Sequence, residues 1–491
     1  MQELSAPRVG RRAAVYGAIA VVALLVLAAG VYLALFQPMP GNSTVSSHST
    51  SRLCSGHGSV PSSPGGSSTS VATLPDWPTY HHDNMRTGSI GDSAPFRSPS
   101  PSWTFSVDGA VYAEPLAYRG SVIVVTENNS VYSISLSGAT LNWCTNLGVP
   151  LPRSALACGN IDPVGVTGTP AIDPESSTLY VVAMLNDQGY RLFALDADTG
   201  AVKRSVPLNP PGFDYKVEQQ RGALAVSNGL VYVPFGGFFG DCGNYHGWVI
   251  AYSTDGTGSL LNYQVPSVRA AGIWSPGGVV VNDQGDLFVA TGNSASTVTF
   301  DYGSSVIKLT PSLTSADYFA PSNWALLNGG DTDLGSLAPA VLGNGLVFQA
   351  GKEGVGYLLN ESNLGGIGGE LYSASICGGA FGSAAFELPY IFVPCNDGLY
   401  SLSVSGPGET PKFTTAWAHT GFGAGPPIIA DGAVWTVAFG NGTLFALDIA
   451  DGHTLFRTNI GPVTHFTTPS AGGGFLVAAG LRTVYCFQYL P

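Results

Sequence analysis

Few residues of this chain have the types and the spacing that a catalytic site requires. The sequence contains no C-x-x-C-H haem attachment site, no H-E-x-x-H zinc motif, no phosphate-binding Gly-Lys loop and no G-x-S-x-G nucleophile elbow. Its eight histidines are scattered, and the adjacent pair His81 and His82 would point in different directions on a strand. No motif therefore supports a hydrolase, a lyase or a histidine metal site.

The composition indicates a large all-β body that does not bind nucleic acid. Of the 491 residues, 45% are hydrophobic and only 10% are charged, which is enough to bury a large core. The 65 Gly and 34 Pro are spread along the chain and predict many tight turns between short strands. The net charge of −13, with only 19 Lys and Arg, argues against the basic surface that a phosphate backbone attracts.

The elements that must position any site are repeated strands. The segments "DQGYRLFALDADTGAVKR" at 187–204 and "FGNGTLFALDIADGHTLF" at 439–456 have the same order of residue types. Similar strands occur eight times, with equivalent positions at Tyr132, Phe193, Ile250, Ile307, Tyr357, Tyr400, Phe445 and Tyr485. A repeat of roughly 40–60 residues made of short strands is typical of β-propeller blades, because one sheet cannot bury both faces alone. The sequence therefore predicts an all-β, eight-bladed propeller.

The two ends of the repeat region complement each other. The eighth unit stops at "VYCFQYLP", after its third strand, whereas "PSWTFSV" at Pro101–Val107 resembles a fourth strand that lacks the three before it. Pairing these ends would close the ring without an open sheet edge. An array of β-sandwich domains, the alternative all-β architecture, would not predict such complementary half-units.

The amino terminus predicts the compartment. Ala13 to Phe36 contains no charged residue and is long enough to cross a hydrocarbon layer of about 30 Å. A cleaved signal peptide would have a shorter apolar region and a small-x-small cleavage site, so we favour a retained anchor. Arg8, Arg11 and Arg12 precede the span and place the amino terminus in the cytoplasm. We predict a cytoplasmic tail at 1–12, a transmembrane helix at 13–36, a Ser/Gly/Thr/Pro-rich disordered linker at 37–75 and an extracytoplasmic propeller at 76–491.

Four stretches carry a family resemblance. They are "DWPTYHHDNMRTG", "VYAEPLAYRGSVIVVTENNSVYSI", "CGNIDPVGVTGTPAID" and "AGKEGVGYLL". They resemble the pyrroloquinoline-quinone-like (PQQ-like) repeat proteins, whose eight-bladed propeller is shared by bacterial quinone-dependent alcohol dehydrogenases and by non-catalytic relatives. The resemblance covers about 76–491. Its motif describes blade packing: the glycine makes a turn, the aromatic fills the gap between blades, and Asp196 and Asp448 cap the next turn.

The resemblance also implies residues for a dehydrogenase, which would bind PQQ and calcium. "TGNSASTVTFDYGSS" resembles the segment that carries a calcium-ligating Asn and the catalytic Asp, which would be Asn293 and Asp301. The structural interpretation is that Asn293 forms a turn and Asp301 is a solvated loop carboxylate. The quinone carries three carboxylates, for which only Arg221 and Lys352 look well placed. The chain lacks the adjacent Cys-Cys pair of these enzymes.

One face of the ring is the predicted binding face. Blade 3 extends a hairpin into "PFGGFFGDCGNYHGW", Pro234–Trp248, and blade 4 extends the loop that contains Asn293. Trp248 and the other aromatic residues of the hairpin could form a cofactor or ligand platform, although packing against the rim is the interpretation we favour. Arg221, at the start of an inner strand, is placed near the channel mouth.

The seven cysteines predict disulfides, because an extracytoplasmic chain permits them. Cys377 with Cys395, and Cys158 with Cys242, lie near one face. Cys144 is an alternative partner for Cys158. Cys486 takes the inward position that alanine holds in other blades and is predicted to be a buried free thiol. Cys54 has no evident partner and is assigned no role.

We therefore predict a membrane-anchored binding or scaffolding module. No cofactor is expected, and the partners are the membrane, through residues 13–36, and an unidentified protein or small molecule at the propeller face. The alternative is a PQQ- and calcium-dependent alcohol or sugar dehydrogenase, with Asp301 as base, Asn293 as metal ligand, and Arg221, Lys352 and Trp248 at the cofactor.

Overall fold

The structure is a computed structural model that describes Cys54 and residues 56–59, 75–91, 95–406 and 408–489. Within these ranges the chain forms eight sheets of four or more strands, each made mainly of consecutive antiparallel strands. The predicted eight-bladed, all-β propeller is therefore confirmed. The predicted tail and transmembrane helix lie outside the described residues. Among the described residues, no helix combines the length and hydrophobicity needed to cross a membrane.

In the first four blades, the first strand of each blade lies at the channel and the fourth strand lies outermost. Blade 1 contains Leu116–Tyr118, Ser121–Val125, Ser130–Ser135 and Leu141–Asn146. Blade 2 contains Ala171–Asp173, Thr178–Leu185, Gly189–Asp196 and Val202–Pro207. Blade 3 contains Ala225–Ser227, Leu230–Gly237, Trp248–Ser253 and Leu261–Gln264, with Glu218–Gln219 added against its second strand. Blade 4 contains Val280–Val281, Leu287–Ala290, Val306–Leu309 and Ser315–Ala320, with Gly366–Ile367 parallel to its outer strand.

The remaining blades follow the same order. Blade 5 contains Ala340–Val341, Leu346–Ala350, Val355–Asn360 and Tyr372–Ser375. Blade 6 contains Ala385–Glu387, Tyr390–Cys395, Gly398–Val404 and Phe413–Thr420. Blade 7 contains Ile428–Ala430, Ala433–Ala438, Thr443–Asp448 and Thr454–Asn459. Blade 8 contains Ser470–Gly472, Phe475–Ala479, Thr483–Gln488 and, from the other end of the chain, Ser100–Ser106. The described connections include one α-helix, Trp324–Gly329, and the 3-10 turns Arg153–Ala155 and Leu334–Ser336.

The predicted closure of the ring is confirmed in blade 8. Ser100–Ser106 pairs antiparallel with Thr483–Gln488, and Trp103 lies opposite Cys486. The indole of Trp103 is buried and donates a hydrogen bond of 2.6 Å to the carbonyl of Leu136 in blade 1. The closing strand therefore joins both the last blade and the first.

A short strand extends blade 8 where the sequence predicted only linker. His57–Ser59 pairs with the outside of Ser100–Ser106, and Cys54 forms a disulfide with Cys144 of blade 1. The assignment of no role to Cys54 was therefore wrong. A Cβ on Gly56 would lie only 2.4 Å from the Phe105 ring, so glycine is what allows this segment to approach the blade.

The repeated motif works as a docking element between blades. Asp196 accepts a hydrogen bond of 3.0 Å from the backbone N–H of Thr199, as the cap interpretation predicts. Gly200 has φ of 72°, and a Cβ there would lie 2.3 Å from the Trp143 ring of the preceding blade. The corresponding glycine of blade 7 lies against Trp417 of blade 6. In blades 2 and 7 this motif therefore packs against the preceding blade.

Replacing Gly200 with Ala should lower the free energy of unfolding by about 1–3 kcal/mol more than replacing Gly258 with Ala. Both glycines have positive φ, but nothing lies within 4 Å of a Cβ at Gly258, so this control isolates the backbone strain. Urea unfolding of the two variants measures the difference. Equal losses would show that Trp143 does not dock against Gly200.

The segment from residue 76 to residue 90, here called the plug segment, closes one end of the central channel. It contacts the first strand of every blade or the connection leading into that strand. The hydrogen bonds are Trp77 to Ala117, Ile172 to Pro78, Asn84 to Val226, Val281 to Asn84, Phe386 to Thr87, Ile429 to Gly88 and Tyr80 with Thr468, while Met85 packs against the blade 4 and 5 core. The stretch that resembles the PQQ-like family is therefore a structural seal.

Candidate functional site

The open end of the channel, here called the mouth, is where the connections between blades enter the first strands. The hairpins that join second and third strands lie on the same face, because consecutive strands of a blade run antiparallel. Arg221, Trp274 and Phe466 stand on such connections, whereas Lys352 and Asn293 follow second strands. The mouth therefore gathers side chains from several distant parts of the chain.

Arg221 lies over an aromatic ring at the mouth, as its predicted position requires. Its guanidinium carbon is 4.4 Å from the centroid of Phe466, and Trp274 lies 6.3 Å from that ring. Burial lowers the pKa of Arg221, and the nearby Tyr112 and Glu127 oppose that shift. Among the described residues, Arg221 makes no hydrogen bond and no ion pair. Arg221 is only partly buried, and the Phe466 ring is the side-chain contact that the structure shows for its guanidinium.

Lys352 reaches the same cluster but is already neutralised. Its ammonium forms ion pairs of 2.6 Å with Asp333 and 3.1 Å with Asp331, and it lies 5.8 Å from the centroid of Trp274. Burial acts to lower the pKa of Lys352, but the two carboxylates outweigh it and raise the pKa. The charge of Lys352 is therefore taken up by two carboxylates.

Asn293 and Asp301 serve different parts of the mouth. The backbone N–H of Asn293 donates to Asp333 at 2.5 Å, which connects it to the Lys352 cluster. Asp301 is buried and accepts hydrogen bonds from the Ser294 hydroxyl, at 2.6 and 2.8 Å, and from the backbone N–H of Val268. The expectation that Asp301 is a solvated loop carboxylate was therefore wrong. Its carboxylate fixes two loops together.

Trp248 lies in the core and not at the mouth. It is 1% exposed, it packs between blades 2 and 3, and its indole N–H donates to Glu218 at 3.1 Å. In the same hairpin, Phe238 and Tyr245 are also buried, whereas Phe239 is 44% exposed. The packing interpretation of this hairpin is therefore confirmed for three of its aromatic residues, and Trp248 cannot present its ring to a cofactor.

The predicted disulfides are present. Cys158 is bonded to Cys242 and Cys377 to Cys395, which ties the blade 3 hairpin to the connection before blade 2. Cys144 pairs with Cys54, so it is not the partner of Cys158. Cys486 is a buried free thiol, and burial raises its pKa.

Sequence reasoning missed two titratable groups at the mouth. Glu127, in the second hairpin of blade 1, is 1% exposed; burial raises its pKa to about 7, against the hydrogen bond from Gly165. His465 stacks on Phe466 at 4.4 Å between centroids, and burial lowers its pKa to about 4. The only sequence signal for Glu127 is a lone charge in a hairpin of small polar residues.

The eight-bladed fold and its repeated strand motif are those of a propeller with PQQ-like repeats. The family model described as outer membrane protein assembly factor BamB matches residues 98–289. The structure is similar to quinohemoprotein alcohol dehydrogenases, which together with this match confirms the predicted resemblance to PQQ-like β-propeller proteins. The match from Pseudomonas putida HK5 has a TM-score of 0.63 at 14% identity over 84% of this chain and 80% of that one.

Two further structures share the fold. The quinohemoprotein alcohol dehydrogenase from Comamonas testosteroni has a TM-score of 0.60 at 17% identity, covering 85% of this chain and 81% of that one. BamB from Moraxella catarrhalis has a TM-score of 0.54 at 14% identity, covering 80% and 98%. No curated protein matches the sequence significantly. At these identities the likeness concerns the fold alone.

Proposed function

We propose that this protein is a membrane-anchored, extracytoplasmic binding module whose mouth face docks a protein partner. The single observation that carries this proposal is an exposed apolar rim on that face. Phe239, Val268, Val298 and Leu326 are 44%, 69%, 90% and 76% exposed. Apolar side chains clustered at one site of a soluble surface typically mark an interaction surface. The match to a family model named for an assembly factor agrees with this role.

The rim is one continuous, well-fixed surface. Arg269 donates to the carbonyl of Gly243 in the blade 3 hairpin at 2.7 Å, and its own carbonyl accepts from the N–H of Ala295 at 3.2 Å. Asn328, in the short helix, donates to the carbonyl of Ser296 at 2.8 Å. Four separate segments are therefore joined by hydrogen bonds, and the Cys158–Cys242 disulfide holds the hairpin. Such preorganisation favours binding because little conformational freedom is lost on association.

The charge around the rim favours a basic partner. Asp241, Asp331 and Glu353 are exposed beside it, and the chain as a whole carries a net charge of −13. Complementary charge accelerates encounter and selects among partners. We therefore propose a partner with an apolar contact surface flanked by Lys or Arg.

The location outside the cytoplasm rests on two observations. Three disulfides join six of the seven cysteines, and such bonds persist in oxidising compartments. The uncharged stretch from Ala13 to Phe36 would supply the anchor. Since Cys54 and His57–Ser59 are fixed to the propeller, the chain that leads from the proposed anchor would reach the propeller at Cys54.

The residues at the mouth do not fit PQQ and calcium. The quinone would supply hydride acceptance when bound, but its carboxylates need cations, and the charge of Lys352 is taken up by Asp333 and Asp331. The carboxylate of Asp301 is engaged by Ser294 and Val268. Of the two cations that the sequence placed at the quinone, only Arg221 is left without an ion pair to a described residue. We therefore propose no catalytic step through a quinone.

Site-specific photo-crosslinking tests the rim. A photoreactive amino acid at Val298 should give a discrete adduct in membranes of cells that express the full chain, because that side chain is the most exposed at the rim. The same residue at Leu388, which is 40% exposed on the plug face, is the matched control. Adducts at both positions, or none at Val298, would contradict docking at the rim.

Calorimetric titration distinguishes the proposed binding module from the dehydrogenase alternative. With PQQ and Ca²⁺ the full chain should give no saturable heat, and dye-linked alcohol oxidation should be absent, because the cationic and carboxylate groups are already engaged. Quinone binding that is lost in both Asn293→Ala and Asp301→Ala would support the enzyme instead. Asp83→Ala in the plug segment, far from the mouth, controls for general loss of structure.

A further inference from the structure

We propose that the Cys54–Cys144 disulfide is a redox-sensitive clasp: when it is reduced, the short strand His57–Ser59 leaves the outer edge of blade 8 while the ring stays closed. The disulfide joins a segment attached to the last blade with the outer strand of the first blade, Leu141–Asn146. The clasp therefore crosses the junction at which the ring closes. This inference goes beyond the proposed docking at the rim and does not depend on it.

The clasp strand has no apolar side chain to bury. Residues 56–59 are Gly-His-Gly-Ser, and the two glycines let the backbone approach Phe105 and Ala139 closely. The strand pairs with blade 8 over three residues, and the hydrogen bond of 2.8 Å between the Ser59 and Thr104 hydroxyls is exposed. Burial of apolar area is the main force that holds a strand in place. Since these side chains cannot supply it, the disulfide is what keeps so short an edge strand attached.

The other two disulfides fasten segments that apolar side chains also hold. Near the Cys158–Cys242 pair, Leu156 and Phe238 are 7% and 2% exposed and pack into the core between blades 2 and 3. In the third disulfide, Cys395 is itself buried in the second strand of blade 6. Those segments have packing that does not depend on a covalent bond. Of the three disulfides between described residues, the clasp is therefore the one whose reduction frees a strand.

The closing strand Ser100–Ser106 has contacts of its own that do not involve the clasp. Its inner edge pairs with Thr483–Gln488, and Trp103 is buried and bonded to the carbonyl of Leu136. Release of His57–Ser59 therefore frees only the outer edge of this strand. An open edge presents unpaired N–H and C=O groups, which a strand of another chain can pair with.

The chemical step is thiol–disulfide exchange with a dithiol. One thiolate of the dithiol attacks a sulfur of the clasp, so that the S–S bond breaks and a mixed disulfide forms. The second thiol of the reductant then attacks the mixed disulfide and leaves as part of a new disulfide, and the two cysteines have gained two electrons and two protons. The reverse reaction with a protein disulfide oxidant closes the clasp. It is therefore closed in an oxidising compartment and open in a reducing one.

Hydrogen exchange of the full chain with and without dithiothreitol tests the clasp. After reduction, peptides that cover His57–Ser59 should exchange at least ten-fold faster, because the strand detaches, while Thr483–Gln488 should remain slow. The double variant Cys54→Ser with Cys144→Ser should show the same pattern without reductant. Cys158→Ser with Cys242→Ser is the matched control and should leave His57–Ser59 protected. Alkylation of the free thiols, mapped by mass spectrometry, identifies which disulfides are open in each sample.

Three results would overturn the proposal. Slow exchange of His57–Ser59 in the double variant would show that backbone pairing alone holds the strand. Fast exchange of Thr483–Gln488 in that variant would show that the disulfide holds the whole ring closed. Equal acceleration at His57–Ser59 in the control would show that this strand responds to the loss of any disulfide. Should the double variant not fold, the natural chain that is reduced after folding gives the same comparison between the two strands.

Discussion

Replacing Arg86 with Met should lower the free energy of unfolding by about 4 kcal/mol or more. The side chain is fully buried in the plug segment. Its guanidinium donates to the carbonyls of Leu224, Gly277 and Val279, at 2.9 to 3.1 Å, and to three acceptors within the plug segment, among them the Thr79 hydroxyl. Met fills a similar volume but leaves these acceptors buried and unpaired, at about 1–3 kcal/mol each before relaxation.

The matched control for Arg86 is Arg119→Met. Both arginines have positive φ, 60° and 46°, so backbone strain is similar. Arg119 forms a surface ion pair with Asp198 at 3.3 Å, with both side chains about half exposed, and its loss should change stability by less than about 1 kcal/mol. Chemical denaturation of both variants measures the difference. A small loss for Arg86→Met would mean that the plug segment is not required for the closed ring.

Arg86 also shows where sequence reasoning stops. In "DWPTYHHDNMRTG" the sequence shows Arg86 only as one charge in a polar segment. The family resemblance identifies this segment but does not say what Arg86 does in it. Its acceptors at Leu224 and Gly277 lie 138 and 191 residues away. A carbonyl has no sequence signature, because every residue carries one. Contacts of this kind follow from ring geometry, which a local pattern cannot supply.

The fold was predictable because its determinants are local and repeated. Gly200 and Trp143 belong to neighbouring blades, as do Gly452 and Trp417, and the strand pattern itself recurs in all eight sheets. Closure was predictable because an incomplete last unit leaves an edge that needs a partner. The Cys54–Cys144 disulfide was not predictable, because the segment around Cys54 has the composition of a linker. The strand His57–Ser59 that follows Cys54 is held by packing against Phe105.

The sequence predicted where the candidate site lies but not the contacts of its side chains. Placing Arg221 at the mouth followed from the order of strands and connections. Lys352 was placed there as well, but its charge state depends on Asp333, which precedes it by nineteen positions on another connection. For Trp248 the sequence left two interpretations open, because a hairpin rich in Gly and aromatic residues has the same pattern whether its rings face the solvent or the core.

The closing strand gives the second large effect: Trp103→Ala should lower the free energy of unfolding by about 3–5 kcal/mol. The ring is 1% exposed, and removing it also leaves the carbonyl of Leu136 without its donor. Because Ser100–Ser106 is the outer strand that covers Thr483–Gln488, loosening it exposes a sheet edge and weakens the connection between the two ends of the chain.

Hydrogen exchange distinguishes an opened ring from an ordinary cavity. In Trp103→Ala the amides of Thr483–Gln488 should exchange faster under native conditions, since that strand loses its outer partner whenever the closing strand detaches. Trp143→Ala, in the outer strand of blade 1, is the matched control: it removes a similar ring but leaves the closing pair intact, so exchange in Thr483–Gln488 should remain slow. Equal protection of that strand in both variants would show that the ring is held closed without Trp103, and that closure depends on the disulfide from Cys54 or on the plug segment instead.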